Sequence, residues 1–188
     1  RLHGIEVTGA LSRAKLKGCD IYGCYQANLV ATNCGSLEVE DCKIHDTVRL
    51  HGVTVKGANT YATVASTKIW DCARNGLFVY DGGEALVTGT EIRNSIECNG
   101  CQVKGSGSQL AIHGSVVADN LLSGIYCMQG GLIEVVDCEV SNSRKFHGIE
   151  VQDTPSEAKV KGCTIIGHQQ NGIFANEGGV VSCSGTVV

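Results

Sequence analysis

The stretch His3-Gly4-Ile5-Glu6-Val7 decides the fold, because the chain repeats it. It returns unchanged as His147-Gly148-Ile149-Glu150-Val151. Its glycine recurs at intervals of 24 residues, with Asn28 as the one exception in the second copy. The glycines of the series are Gly4, Gly52, Gly76, Gly100, Gly124, Gly148 and Gly172. Because glycine and asparagine tolerate left-handed backbone best, the series predicts one structural turn in every repeat.

Each repeat also contains three short segments in which apolar and polar residues alternate. In the first copy these segments lie at 5–7, 14–16 and 19–21. Alternation predicts strands, and no segment has helical spacing. A unit of three short strands cannot bury one face alone, but stacked units form a continuous core. The sequence therefore predicts an all-β, single-domain parallel β-helix (a solenoid) of about eight 24-residue coils that occupies residues 1–188.

Successive coils differ in their first turn. Odd-numbered coils have a longer turn, such as residues 8–13, whereas even-numbered coils have a tight turn, such as Gly82-Gly83. The pattern defines a 48-residue super-repeat of two coils. Duplication of a two-coil unit is the simplest account of it.

The repeat resembles the parallel β-helix repeat family, whose members are right-handed β-solenoids with a pectate-lyase-like superfold. The resemblance covers all 188 residues. It rests on Gly-Ile-x-Val, on Ala-x-Leu-x-Gly-Cys-x-Ile and on the Asp-Gly-Gly type of turn. Similar repeats occur in carbohydrate-binding and sugar-hydrolysis domains and in substrate-recruiting domains of ubiquitin ligases. The resemblance thus implies a right-handed coil and favours a role in binding, although a fold does not define a function.

Composition narrows the choice of partner. The chain has 25 glycines, one proline and a net charge of −4 with both signs interspersed, so nucleic acid is not an expected partner. No apolar run is long enough to span a membrane, so no membrane partner is expected. The chain lacks an initiator methionine, and its repeat pattern continues to the last residue. We therefore expect a fragment of a longer chain.

Eleven cysteines are present, and their positions argue against disulfides and metal sites. Cys19, Cys42, Cys138 and Cys163 occupy one position of the repeat, which Thr67, Thr90, Ser115 and Thr186 fill in the other coils. That position therefore requires a small side chain, and we expect buried, reduced thiols there. Cys98 and Cys101 have the Cys-x-x-Cys spacing, but no second pair is present to complete a zinc site. No metal or cofactor is therefore expected. The compartment is not defined by the sequence, although unpaired cysteines favour a reducing one.

The residue before each repeated glycine is often polar. The series reads His3, Ala27, His51, Asn75, Asn99, Ser123, His147 and Asn171. Histidines two coils apart are about 9.6 Å from each other, too far to share a metal ion. The series instead predicts a ladder of side chains that hydrogen-bond to neighbouring turns.

Four aromatic residues and one methionine are expected on the outer face of the first sheet. Phe78, Tyr126 and Phe174 recur two coils apart, and Tyr80 and Met128 lie two residues further on. Rows of aromatic rings interleaved with polar groups suit stacking on sugar rings or binding of a protein. The partner expected for this face is a glycan or a protein. The alternative is that side chains of neighbouring coils cover the rings.

An enzyme is the main rival, because β-helix folds also include pectate-lyase-like enzymes and alginate epimerases. Such chemistry on acidic glycans needs carboxylates that cluster with Lys, Arg or His. The candidate carboxylates are Asp20, Asp41, Asp71, Asp81, Glu91, Asp137 and Glu139, and they are scattered along the sequence. The sequence therefore favours a non-enzymatic interaction or carbohydrate-recognition module, with a purely structural solenoid as a further alternative, and assigns no catalytic residue.

Neither end of the repeat array has a recognisable cap. Open strand edges at both ends can pair with other strands. End-to-end self-association is therefore a further expectation.

Overall fold

The structure is a computed structural model that describes residues 2–188. It contains 23 β-strands in three parallel sheets. Sheet A contains β1 (Ile5–Thr8), β4 (Leu29–Thr32), β7 (Val53–Lys56), β10 (Leu77–Tyr80), β13 (Cys101–Lys104), β16 (Ile125–Met128), β19 (Ile149–Gln152) and β22 (Ile173–Asn176). Sheet B contains β2 (Arg13–Lys17), β5 (Ser36–Glu40), β8 (Tyr61–Ala65), β11 (Glu84–Thr88), β14 (Gln109–His113), β17 (Leu132–Val136), β20 (Glu157–Lys161) and β23 (Val180–Ser184). Sheet C contains β3 (Asp20–Tyr22), β6 (Lys43–Thr47), β9 (Lys68–Cys72), β12 (Glu91–Arg93), β15 (Val116–Ala118), β18 (Glu139–Ser141) and β21 (Thr164–Ile166).

Every strand pairs in parallel with the equivalent strand of the next coil. In sheet A the paired residues are 24 positions apart, as in Ile5 and Leu29. In sheet B the separation alternates between 23 and 25, so that Leu16 pairs with Val39 and Val39 pairs with Val64. Sheet C alternates in the same way. The predicted right-handed β-solenoid of about eight coils is confirmed, and the alternation is the structural form of the two-coil super-repeat.

The core is a column of aliphatic side chains between the three sheets. Leu29, Leu77 and Ile149 from sheet A are fully buried, as are Ile44 and Ile92 from sheet C. Each coil adds a layer to this column, so every interior layer is covered on both sides. Helices are absent from residues 2–188. Accordingly, no helix in this range has the length and hydrophobicity needed to cross a membrane.

Close packing, rather than left-handed backbone, requires the seven repeated glycines. None of them has a φ angle in the left-handed region, so that part of the expectation is wrong. A Cβ atom on Gly76 would lie 2.5 Å from Cγ2 of Ile92 and 3.0 Å from the carbonyl oxygen of Gly100. A Cβ at each of the other six would likewise have a neighbour closer than 3 Å. Asn28 fills this position in the second coil, where its buried amide donates to two backbone carbonyls at 3.1 and 2.7 Å.

Left-handed backbone occurs instead at the corner between sheets B and C. One residue per coil has a positive φ there: Gly18, Asp41, Ser66, Gly89, Gly114, Asp137, Gly162 and Gly185. A second series lies near the ends of the sheet C strands or directly after them, at Gly23, Asp46, Asp71, Asn94, Asp119, Asn142 and Gly167. Gly, Asn and Asp tolerate this conformation best, which explains their use at nearly all of these corners.

The position of Cys42 forms a hydrogen-bonded ladder through all eight coils. The side chain of each member donates to the carbonyl two residues before it, at distances from 2.8 to 3.5 Å. At six of the seven steps, the side chain also accepts the backbone N–H of the coil before. The residue at this position must therefore be small and must also donate one hydrogen bond and accept another. Small size, which was the only requirement inferred from the sequence, explains the choice of residue incompletely. The members are Cys19, Cys42, Thr67, Thr90, Ser115, Cys138, Cys163 and Thr186, and all eleven cysteines are free thiols.

The polar ladder beside the repeated glycines is also present. The N–H of Asn75 donates to Nδ1 of His51 at 3.2 Å, and the N–H of Asn99 donates to the side chain of Asn75 at 3.0 Å. Ser123 continues the series by donating to Asn99 at 2.9 Å. The other two histidines of the series accept an N–H from the next coil in the same way. These contacts confirm a role in coil-to-coil hydrogen bonding.

Candidate functional site

The five residues predicted for the outer face of sheet A lie on that face in two adjacent rows. The first cross-strand row is Phe78, Gln102, Tyr126, Glu150 and Phe174. The second is Tyr80, Lys104, Met128, Gln152 and Asn176. All ten side chains are partly exposed. The row starts at the exposed Glu6, but the next two residues, Val30 and Thr54, are buried, so the continuous accessible part begins at Phe78.

Phe78 and Tyr80 form one aromatic cluster. Their ring centroids are 4.3 Å apart with an interplanar angle of 14°. Phe78 also contacts the buried imidazole of His51 at 4.8 Å, and Nζ of Lys56 lies 5.3 Å from the centre of the Tyr80 ring. Burial, reinforced by the charge of Arg74, lowers the pKa of His51 to about 4. The imidazole is therefore a neutral support for Phe78 at neutral pH.

Tyr126 and Met128 occupy the middle of the face, among amide side chains. The Tyr126 hydroxyl donates to Oε1 of Gln152, and Nε2 of Gln102 lies 3.6 Å from the sulfur of Met128. Desolvation, with a further contribution from Glu150, raises the pKa of Tyr126 to about 12. The phenol is thus a neutral hydrogen-bonding group over the physiological pH range.

Phe174 lies near the C-terminal end of the face. Its ring stacks on His147 with a centroid distance of 4.3 Å and an interplanar angle of 14°. Burial lowers the pKa of His147. Phe78 and Phe174 therefore each rest on a histidine of the polar ladder, two super-repeats apart. The alternative that side chains of neighbouring coils cover the rings holds in part. His51 and Tyr80 contact the Phe78 ring and His147 contacts the Phe174 ring, yet both rings remain partly exposed.

The outer face of sheet C carries a second aromatic row, which was not predicted from the sequence. Tyr22, His45 and Trp70 are cross-strand neighbours, with ring centroids 5.1 and 4.2 Å apart and interplanar angles of 7° and 12°. The two nitrogens of His45 contact Asp46 at 2.7 Å and Asp20 at 2.9 Å. The alternating offsets of 23 and 25 residues would have revealed this row, because a fixed period of 24 places these residues out of line.

The row ends at a shallow depression of about 350 Å³ lined by Trp70, Lys68, Glu91 and Arg93. Glu91 accepts from Nε of Arg93, and its other oxygen lies 3.6 Å from Nζ of Lys68. The hydrogen bond from Arg93 lowers the pKa of the Glu91 carboxyl. Arg93 also donates to Asp119 at 2.9 Å. The charges of this depression are thus paired with one another.

A third surface feature is a concavity of about 390 Å³ on the outer face of sheet B. Leu86 and Ala111 line its middle, and Tyr61 and Leu132 line one side. Its polar groups belong to three glutamates, one glutamine and one lysine along the rim. The surface is open, and no aromatic row follows it.

The candidate carboxylates do not converge on one site. Asp41, Asp71, Asp81 and Asp137 all have a positive φ and occupy corners of the coil. Their residue type is accounted for by backbone conformation. Among residues 2–188, no group of three His, Cys, Asp or Glu side chains has the arrangement needed to hold a metal ion.

Together, the fold and these surfaces define a right-handed parallel β-solenoid with aromatic rows on two outer faces. The family model for right-handed β-helix regions matches residues 1–83 and 51–188, and these ranges together include the whole chain. The chain belongs to this family. A search of curated proteins found no significant match.

Among solved structures, the chain is similar to the crystal structure of pectate lyase Pel9A, with a TM-score of 0.63 and 12% sequence identity. The alignment covers 99% of this chain and 55% of the pectate lyase chain. The chain therefore spans about half the length of that enzyme. At this identity the likeness extends to the fold alone.

Proposed function

We propose that the chain is a non-enzymatic carbohydrate-recognition module that binds a glycan on the outer face of sheet A. One observation carries the proposal. Along this face, Phe78, Tyr126 and Phe174 occupy every second strand, and the polar side chains of Gln102 and Glu150 lie between them. The aromatic strands are about 9.6 Å apart, given the usual strand spacing.

This alternation matches the two kinds of surface on a sugar. A sugar ring has apolar C–H groups on its faces, which pack on aromatic rings, and hydroxyl groups on its edge, which need hydrogen-bond partners. Aromatic side chains supply large contact areas with few rotatable bonds. The amide of Gln102 and the carboxylate of Glu150 supply donors and acceptors. A glycan that extends along the solenoid axis would meet both in turn.

The polar ladder beneath the face holds these groups in place. Nδ2 of Asn75 donates to Gln102 at 2.9 Å, and the hydroxyl of Ser123 donates to Glu150 at 2.5 Å. His51 and His147 support the rings of Phe78 and Phe174 in the same way. Groups that are fixed before binding lose less conformational entropy on binding. The ladder therefore supports recognition as well as folding.

The rival proposal, a lyase or epimerase that acts on acidic glycans, draws on the charged depression beside Trp70 and on the likeness to a pectate lyase. A catalytic group needs access to its substrate and a pKa suited to proton transfer. The charges of Glu91 and Arg93 are paired with each other, and the pKa of Glu91 is lowered, whereas a general acid would need a raised pKa. The partly exposed rings of sheet A favour recognition.

The test is binding of the chain to a panel of neutral and acidic polysaccharides, measured by isothermal titration calorimetry. The variant Phe78→Ser/Tyr126→Ser/Phe174→Ser is measured in parallel. Each ring is expected to contribute about 0.5–1.5 kcal/mol, so the triple variant should bind about tenfold more weakly or worse. Far-UV circular dichroism checks that its fold is retained.

A matched control replaces three exposed aromatic residues elsewhere, in the variant Tyr22→Ser/Tyr25→Ser/Tyr61→Ser. This variant should bind as tightly as the unmodified chain. Equal loss in both triple variants, or no binding of the unmodified chain to any polysaccharide, would contradict the proposal. Shortened or unsaturated products in the calorimeter cell would contradict its non-enzymatic part.

A further inference from the structure

The outer face of sheet B has an apolar middle between two charged strands. On one side, β5 directs Glu38 and Glu40 outward, and on the other side β20 directs Lys159 and Lys161 outward. Strands β8, β11, β14 and β17 lie between them, and every one of these strands has a neighbour on both sides. The apolar outward residues of the middle strands are partly exposed, and they are Tyr61, Ala65, Leu86, Ala111, Leu132 and Val136.

The centre of this face has a projection beside a recess. Leu86 and Ala111 are cross-strand neighbours on β11 and β14, and both line the concavity of about 390 Å³. Tyr61 and Leu132, also in its lining, are 39% and 40% exposed. A second copy turned through 180° would offer the same projection and recess in reverse order, so that Leu86 of each copy packs over Ala111 of the other.

A two-fold axis between β11 and β14, parallel to the strands, brings opposite charges together. The rotation places β5 of one copy over β20 of the other and keeps each position along the strand. Glu38 then faces Lys159, and Glu40 faces Lys161. The apolar residues also face one another, in the pairs Leu86 with Ala111, Tyr61 with Leu132, and Ala65 with Val136.

The same axis keeps like charges apart. The remaining carboxylates of β8, β11, β14, β17 and β20 all meet uncharged side chains: Glu84 meets Gln109, Glu134 meets Thr63, and Glu157 meets Ser36. Like charges that face each other across an interface cost affinity. The charge pattern of this face is therefore compatible with a second copy in this orientation.

Other face-to-face arrangements bring like charges together or bury a charge. Rotation about the solenoid axis would place each residue of the row through Glu38, Leu86 and Lys159 on its own counterpart, so Glu38 would meet Glu38. A shift of one coil from the axis between β11 and β14 would place Lys15 against Lys159 in one direction. In the other direction it would place Leu86 against Glu134. The pattern thus selects one axis and one register.

The charged groups of β5 and β20 are able to pair with a second copy. Lys161 forms no ion pair with any residue in the range 2–188, and Nζ of Lys159 lies 3.9 Å from Glu157. Glu38 and Glu40 contact Lys15 and Lys17 through Oε1 alone, at 2.6 and 2.9 Å. The second oxygen of each glutamate can accept from a lysine of another copy.

We propose that this chain forms a two-fold dimer through the outer face of sheet B, with the two solenoid axes antiparallel. The area from β5 to β20 is roughly 500 Å² on each copy and about 1,000 Å² in total, given the usual strand spacing and length. That total is near the lower limit for a specific contact, so the dimer dissociates on dilution. Because both copies use the same surface, the contact closes at two copies. Sheet A takes no part in it, so dimerisation and glycan binding are tested separately.

The experiment is sedimentation velocity over a concentration series, with the charges reversed on one side of the face at a time. The two variants are Glu38→Lys/Glu40→Lys and Lys159→Glu/Lys161→Glu. In each variant alone, like charges face each other at both ends of the contact. In a mixture, the lysines of the first variant face the glutamates of the second at both ends. The control is Lys43→Glu/Lys145→Glu, because both lysines are exposed and lie outside sheet B.

The unmodified chain and the control are expected to show a monomer–dimer equilibrium with the same Kd. Each charge-reversed variant alone should dimerise at least about tenfold more weakly, and the equimolar mixture should regain dimers. A monomeric unmodified chain at every concentration, assemblies larger than dimers, or a mixture no more dimeric than its components would overturn the proposal. If circular dichroism shows that a reversed variant is unfolded, Ala111→Arg blocks the centre of the face instead, and a dimer of that variant as tight as the unmodified one would equally overturn it.

Discussion

The side chain of Cys42 shows what a single ladder residue does. It accepts the N–H of Cys19 at 3.4 Å and donates to the carbonyl of Glu40 at 3.2 Å, and it is 2% exposed. Cys42→Ala would leave the partly buried N–H of Cys19 without its partner, although the carbonyl of Glu40 still accepts the N–H of Gly18 at 3.1 Å. The loss is expected to cost about 1 kcal/mol of unfolding free energy. Cys42→Thr keeps both bonds, as Thr67 does in the next coil. Urea denaturation should therefore rank the threonine variant as the more stable; the opposite rank would mean that the position selects for size alone.

His51 makes stability depend on pH. Its pKa is lowered to about 4 in the folded chain, against about 6.5 in an unfolded chain. The folded state therefore binds fewer protons between these values, and stability falls as the pH drops from 6.5 towards 4. The loss reaches about 3 kcal/mol at the low end, since one pKa unit corresponds to about 1.4 kcal/mol.

Denaturation of the His51→Asn variant at pH 7 and pH 4.5 tests this. Asparagine fills the same position in the adjacent coil, where Asn75 keeps the ladder intact. The difference in stability between the two pH values should be smaller in the variant than in the unmodified chain. An unchanged difference would assign the acid sensitivity to other groups, such as His147 and His168, whose pKa values are also lowered by burial.

At the scale of the strand, local patterns predicted nearly everything that repeats within one coil. The alternation of Ile5 with Val7 and the position of Cys42 both follow from side-chain direction, which is a local property. Two features depend on how one coil meets the next, and a single coil does not contain them. The Cβ that Gly76 lacks would meet Ile92 across the same coil and the carbonyl of Gly100 in the next coil, so the need for glycine was inferred for the wrong reason.

The stacked row on sheet C depends on register. With a fixed period of 24, Tyr22 aligns with Asp46 and not with His45, and the row disappears. The offset of 23 residues between Ile21 and Ile44 gives the correct alignment, in which Tyr22 pairs with His45. On sheet A the offset is 24 throughout, which is why the row through Phe78 could be predicted from the sequence. The candidate site was thus predictable where the register is constant.

At the scale of the whole molecule, the solenoid is a one-dimensional stack in which each coil contacts only its neighbours. Stability in such a stack is a sum of coil and interface contributions, so coils with one neighbour open more readily than coils with two. Core residues in the middle, such as Val87 and Cys101, are fully buried, whereas those of the terminal coils are partly exposed. Opening is therefore expected to begin at the ends.

Hydrogen exchange measured by mass spectrometry should follow this gradient. Amides of β10–β14 should exchange slowest, and those of β1–β3 and β22–β23 fastest. Uniform exchange along the chain would mean that the coils open as one unit, which would contradict the expected gradient.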